Sequence, residues 1–143
     1  MNEPHLISIT VDSDKNGRPI AVRERKGANP GLFWLGGFKS DMKGTKAEAL
    51  DHWAGKEGRA CLRFDYSGHG ESGGSFAEGT IGRWLEESLA VYLRFARGPQ
   101  LVIGSSMGGW LALLLARTLA ANKDAAPIAG MVLIAPADDF TEE

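Results

Sequence analysis

Leu6 to Val11 alternates apolar and polar positions, and Asp14-Lys15-Asn16-Gly17 then supplies turn chemistry before the apolar run Ile20-Ala21-Val22. An Asn-Gly step tolerates positive φ, so this segment predicts a β-hairpin, with His5 just ahead of its first strand. After the turn-like Gly27-Ala28-Asn29-Pro30, Gly31 to Leu35 has no polar member and ends in Gly36-Gly37, the pattern of a strand buried on both faces. Thr45-Lys46-Ala47-Glu48 reads as a capping box opening a helix from Thr45 to Glu57, stopped by Gly58. Ala60 to Asp65 is the next strand, and it runs into the glycine-rich stretch Ser67 to Gly79.

From Thr80 onward, Ile81, Trp84, Leu85, Leu89, Tyr92, Leu93 and Ala96 keep helical spacing until Gly98-Pro99. Leu101 to Ile103 predicts a strand, and Met107 to Ala121 a helix so apolar all round that deep burial is expected. After Pro127, Met131 to Pro136 predicts a last apolar strand. Strands alternating with helices, each strand too apolar to face water, imply an α/β fold: a mostly parallel sheet with helices on both faces. No internal repeat or linker interrupts it, so residues 1–143 read as part of one domain.

Composition narrows the classes. Sixteen Lys and Arg against 18 Asp and Glu give a formal charge of -2 with no basic cluster, which argues against nucleic acid as a partner. One cysteine, Cys61, allows neither an internal disulfide nor a cysteine-based metal site, so no metal is expected, and Cys61 itself reads as a buried apolar residue. The opening residues lack a basic segment followed by an apolar one, and no apolar run is long enough to span a membrane. These features predict a cytoplasmic protein. The charged runs Arg23 to Lys26 and Asp138-Asp139 read as solvated ends.

The pattern G-x-S-x-G occurs twice, at Gly70 to Gly74 and at Gly104 to Gly108. In a nucleophile elbow the serine sits on a tight strand-to-helix turn that lifts its hydroxyl clear of the sheet, and Gly104 and Gly108 would allow the close backbone approach. Only Ser106 has an apolar strand directly before it and a long apolar helix directly after, so Ser106 is the candidate nucleophile. Gly68 to Gly73 also satisfies G-x-G-x-x-G, but helical periodicity begins too late for a dinucleotide-binding turn. Acyl transfer develops negative charge on a carbonyl oxygen, which two backbone amides commonly stabilise. The amide of Met107 and that of Phe38, in the loop opened by Gly36-Gly37, are the candidates. Trp34, Phe38, Phe76 and Trp110 are candidates to line an acyl pocket.

The strings FWLGGFKSDMKGTKA, RFDYSGHGESGGSF and VIGSSMGGWLALLLA resemble the α/β-hydrolase family. The resemblance is to the branch that contains a mitochondrial palmitoyl-protein thioesterase, also cleaving mycophenolic acid acyl-glucuronide, and its bacterial relatives. It implies hydrolysis of a small-molecule ester or thioester through an acyl-serine at Ser106, with no cofactor. By position, Phe38 and Met107 carry the oxyanion hole, and His69 is a structural loop residue, not the general base.

In that family the triad runs Ser, Asp, His, and no histidine follows Ser106. Six strands are predicted where the family has eight, so the chain reads as the amino-terminal portion of one hydrolase domain. His5, His52 and His69 are the only imidazoles; His52 reads as solvated, and Asp138 and Asp139 as end-of-strand carboxylates. On this reading the last strand is an exposed apolar edge, and the partners expected are the missing carboxy-terminal half or a second copy. A binding module without turnover is the alternative that the absent base favours.

Overall fold

The computed structural model describes residues 3–12 and 17–135. Among them six strands form one sheet: β1 (His5–Val11), β2 (Arg18–Arg25), β3 (Ala28–Leu35), β4 (Arg59–Phe64), β5 (Gln100–Ser105) and β6 (Ile128–Ile134), in the spatial order β1-β2-β4-β3-β5-β6. β1, β2 and β4 pair antiparallel, while β4, β3, β5 and β6 run parallel. The helices are α1 (Thr45–Glu57), α2 (Ile81–Phe95) and α3 (Met107–Leu119). Residues Asp14 to Asn16 of the predicted hairpin turn, together with Pro136, Asp138 and Asp139, lie outside the described residues; the hairpin itself forms, with Ile9 opposite Ile20.

Period-two alternation along the parallel strands divides the core. Phe33, Leu35, Leu62, Phe64 and Val102 face α2 and α3, meeting Val91, Tyr92, Leu111 and Leu115. Leu32, Trp34, Cys61 and Ile103 face the other way, onto Ala47 and Ala54 of α1. Strands with apolar residues on both faces thus find cover on both, as the unbroken apolar runs predict. Burying each large side chain contributes about 1.5–3 kcal/mol, so α1 and the α2/α3 pair are bound to the sheet chiefly by these two clusters.

Several local expectations are corrected. The Thr45 capping box does not form: Gly44 occupies the cap position, without a side-chain bond, and Glu48 instead reaches Arg63 at 3.3 Å. Residues Ala28 to Pro30 belong to β3 rather than to a turn, β1 begins at His5, and β6 begins at Ile128. The run Arg23 to Lys26 is not a solvated end, because Arg25 is buried and its guanidinium grips both oxygens of buried Asp51 at 3.0 and 2.8 Å. α3 ends at Leu119, and its outer side is not buried, since Leu113 is 47% exposed. β6 also faces water in part, with Val132 50% exposed. α2 starts as predicted, its cap Thr80 accepting from the amide of Arg83 at 3.1 Å, but Leu93 is exposed and the buried stripe runs through Trp84, Glu87, Ser88, Val91 and Tyr92.

Candidate active site

β5 delivers the chain into α3 through one residue, Ser106, whose φ of 56° and ψ of -119° lie where L side chains rarely go. A strained non-glycine residue at the strand-to-helix junction throws its side chain off the sheet edge, and Ser106 is accordingly exposed between the buried Ser105 and Met107. The turn is held by backbone bonds: the Ser106 amide donates to Ile134 at 2.9 Å and the Gly109 amide to Ser106 at 2.9 Å. Its glycines are steric necessities. A Cβ on Gly104 would enter the backbone of Gly108 and Gly109, and one on Gly108 would enter the carbonyls of Leu35 and Gly36. Met107 opens α3, where the first amides have no intrahelical acceptor and the helix field is positive.

The facing wall is the segment 36–44 after β3. A Cβ on Gly37 would stand 3.5 Å from both the Ser105 carbonyl and the Ser106 Cβ, so this strand end lies directly against the elbow. From Gly37 the chain turns tightly, the Ser40 amide donating to Gly37 at 3.1 Å while Lys39 sits at φ 62°. Between this wall and the elbow lies a cleft of about 340 Å³ whose lining includes Trp34, Gly37, Phe38, Ser40, Ser105 and Ser106. The structure therefore brings Ser106, Phe38 and Gly37 into one cleft, with Gly104, Gly108 and Met107 behind the serine. A larger cleft of about 590 Å³, lined in part by Glu24, Lys26, Asn29, Arg94 and Gln100, contains none of the predicted residues. The chemistry-bearing groups decide between the two clefts, and they belong to the smaller.

β4 and the loop after it clamp that wall. The Tyr66 hydroxyl donates to the Gly36 carbonyl at 2.8 Å, and the Met42 amide donates to Asp65 Oδ1 at 2.7 Å. Arg63 donates through Nη1 to the Met42 carbonyl at 2.7 Å, and the Lys39 amide donates to His69 Nε2 at 3.1 Å. Asp65 is buried, which raises its carboxyl above the usual range, while amides from Glu71 and Met42 pull the other way. Burial also raises the Tyr66 hydroxyl and pushes the Cys61 thiol up to about 12, so neither ionises near neutrality.

His69 is buried, 4% exposed, with Nδ1 3.0 Å from the Ser67 carbonyl. An acceptor at Nδ1 and a donor at Nε2 leave one consistent form, the neutral ring carrying its proton on Nδ1. Both nitrogens are thus engaged, and His69 is a structural loop residue rather than a solvated one. His52 is exposed on α1, and none of the three histidines lines the Ser106 cleft. Phe76 and Trp110 do not line it either; Phe76 stacks in a cluster with Phe38, His69 and Trp84. Sequence reasoning missed the clamp formed by Asp65, Tyr66 and Arg63. Its parts meet only through the fold, as where a Cβ on the positive-φ Gly70 would enter the Asp65 carboxylate.

Among the described residues, no group of three or more His, Cys, Asp or Glu could hold a metal ion, and no helix is long and apolar enough to cross a membrane. Residues 30–142 match the Alpha/beta hydrolase family. The chain is 49% identical to a putative hydrolase from Agrobacterium vitis S4, with a TM-score of 0.94 over 99% of this chain and 56% of that one. It is 33% identical to mouse alpha/beta hydrolase domain-containing protein 10, with a TM-score of 0.80 over 90% of this chain and 48% of that one. The human mitochondrial palmitoyl-protein thioesterase ABHD10 is 45% identical over 94 residues, 66% of this chain and 31% of that protein. The chain thus spans about a third of the length of the curated relatives it matches. Those relatives are designated mitochondrial, which overturns the cytoplasmic placement expected from the opening residues.

Proposed function

Because this chain belongs to the α/β-hydrolase family, we propose that it carries the nucleophile and the oxyanion-stabilising amides of an enzyme that cleaves carboxylic esters or thioesters through an acyl-serine. The observation that carries this reading is Ser106 itself: exposed, at φ 56°, at the head of α3 and in one cleft with Phe38. The relatives named as thioesterases put thioesters within the substrate class.

In the first half-reaction Ser106 Oγ attacks the substrate carbonyl carbon and gives up its proton to a base. The carbonyl oxygen takes the electron pair and becomes an oxyanion, which accepts hydrogen bonds from the amides of Met107 and Phe38. Collapse of this intermediate breaks the bond to the alcohol or thiol, which leaves with the proton. Water then attacks the acyl-serine in the same way, releasing a carboxylic acid and restoring the hydroxyl. An unassisted serine hydroxyl is a weak nucleophile at neutral pH. No imidazole lines the cleft and His69 has both nitrogens engaged, so the base is supplied from outside the described residues.

That same lack of a cleft imidazole favours a second reading, a binding module without turnover. Fluorophosphonate labelling of this chain together with the residues that supply the base separates the two, because phosphonylation requires an activated serine. Adduct mapped by mass spectrometry to Ser106, and absent from Ser106→Ala, is the expected result. Unlabelled, folded protein would instead establish the binding module.

A further inference from the structure

The segment facing Ser106 carries an apparent contradiction: a lysine at φ 62°, at the third position of a tight turn that ordinarily calls for glycine. A local sequence that disfavours the turn needs an outside contact to keep it. The Lys39 amide has that contact, since it donates to Nε2 of His69, 30 residues further along the chain. His69 in turn is fixed at its other nitrogen by the Ser67 carbonyl and is enclosed by the rings of Phe38, Tyr66, Phe76 and Trp84. Hence the imidazole cannot follow the turn if it relaxes, and the turn cannot flip its Phe38–Lys39 peptide without losing the bond.

We infer that His69 is a positioning residue, whose unprotonated Nε2 latches the Gly37 to Ser40 turn and so holds the wall that carries Phe38 in place across the cleft from Ser106. This rests on the function proposed above, which gives the Phe38 amide its task. The latch works in one protonation state only. A protonated imidazole donates at both nitrogens and turns a donor toward the donating Lys39 amide, so acid releases the turn. Lys39 and Asp41 lie on the turn side, Asp65, Tyr66 and Glu71 on the loop of His69 itself, Glu78 on the 3-10 turn after Phe76, and Glu86 and Glu87 on α2. Asp65 and Glu87 are committed to the amides of Met42, Glu71 and Ser67, and the Lys39 ammonium lies over the Phe38 and Phe76 rings.

The test is the rate at which the intact protein reacts with a fluorophosphonate across pH, in wild type, His69→Gln and His69→Phe, alongside the 15N resonances of His69 and the Lys39 amide. In wild type the Lys39 amide resonance responds to protonation of His69, its hydrogen-bond acceptor. His69→Phe, which has no acceptor, loses between about tenfold and a hundredfold in saturating rate with little change in half-saturating probe concentration. His69→Gln, whose side-chain oxygen can still accept from the Lys39 amide, keeps most of the rate. A folded His69→Phe at the wild-type rate, or a folded His69→Gln as slow as His69→Phe, overturns the latch. Should His69→Phe not fold, the wild-type titration decides, and a Lys39 amide indifferent to His69 protonation refutes the proposal. No labelling of wild-type Ser106 at any pH instead removes the function on which it rests.

Discussion

The chain contains one five-residue pattern twice, and the two copies have opposite fates. At Gly70 to Gly74 the Ser72 hydroxyl is half-buried and fully spent: it accepts from the Ala21 amide at 2.9 Å and donates to the Asp65 carbonyl at 2.6 Å. That serine staples a loop to the β2/β4 ladder, and the loop is closed again by the Gly68 amide on Gly73 at 2.8 Å and the Gly73 amide on Pro19 at 2.7 Å. At Gly104 to Gly108 the serine makes no side-chain cap bond, stands exposed and holds a strained backbone angle. What separates them is the element that follows. A helix begins directly after Ser106, whereas α2 begins only at Ile81, beyond the loop that holds Ser72. A short motif is available for chemistry only when the surrounding fold leaves its hydroxyl without structural employment, as it leaves that of Ser106 and not that of Ser72.

The largest effects should come from removing each hydroxyl. Ser106→Ala is expected to abolish phosphonate labelling and ester hydrolysis, with a loss of at least about 10³-fold, and to leave the urea unfolding midpoint nearly unmoved. Ser72→Ala should do the reverse, retaining labelling while losing about 1–3 kcal/mol of stability, because a buried amide and carbonyl lose their partner. Labelling that follows Ser72 instead of Ser106 would exchange the roles of the two copies.

The glycines sharpen the same contrast. A Cβ at Gly108 enters backbone carbonyls of the strand beside it, which cannot move without opening the sheet, so Gly108→Ala should cost about 3 kcal/mol or more in urea unfolding. A Cβ at Gly73 meets the ring of Pro19, at 2.5 Å from Cγ, on the rim of the sheet. Gly73→Ala should therefore cost less, about 1–2 kcal/mol, the strain being shared with a loop that can shift. Equal losses at the two positions would mean that the elbow is no tighter than the loop.

How much of this was legible depends on whether the deciding contact is local. The elbow is readable because a strand, Ser106 and a helix follow one another within a few residues, and the bounds of α1 because Thr45 opens it and Gly58, in the left-handed region, closes it within its own stretch of chain. The capping box failed because Gly44, one residue earlier, takes the cap, and Glu48 is drawn to Arg63 instead. Arg25 looked like a surface charge because its partner Asp51 lies 26 residues away on α1. Glu87 sits fully buried in the apolar stripe of α2, where Arg18 at 2.8 Å and the Ser67 amide at 2.7 Å satisfy both of its oxygens. The clamp on the 36–44 wall escaped for the same reason: its partners are 21 to 30 residues from the groups they hold. Periodicity reports which face is buried, and it carries no information about which distant polar group pays for a buried charge.

The smallest effect tests electrostatics within the structural loop alone. Glu71 pairs with Arg23, whose hydrogen bond holds the Glu71 carboxyl below its ordinary value. A depressed folded-state value means that the stabilisation is present above the unfolded carboxylate range and is lost as pH falls through the depressed one. Asp65, next in the same network through its bond to the Glu71 amide at 2.8 Å, is shifted upward by burial. Its folded state binds a proton more tightly than its unfolded state, so its contribution declines as pH rises from the unfolded range to the raised value. The two carboxylates therefore push the acid side of the stability curve in opposite directions. Glu71→Gln should lower stability at neutral pH by less than about 1 kcal/mol, as for other partly exposed pairs, and should steepen the decline with rising pH by leaving Asp65 unopposed. Urea unfolding of both proteins at closely spaced acidic pH values reads the difference. Superimposable curves would mean that the Arg23 pair does not persist in solution, and the Gly70 to Gly74 loop would then be held by Ser72 and its backbone bonds alone.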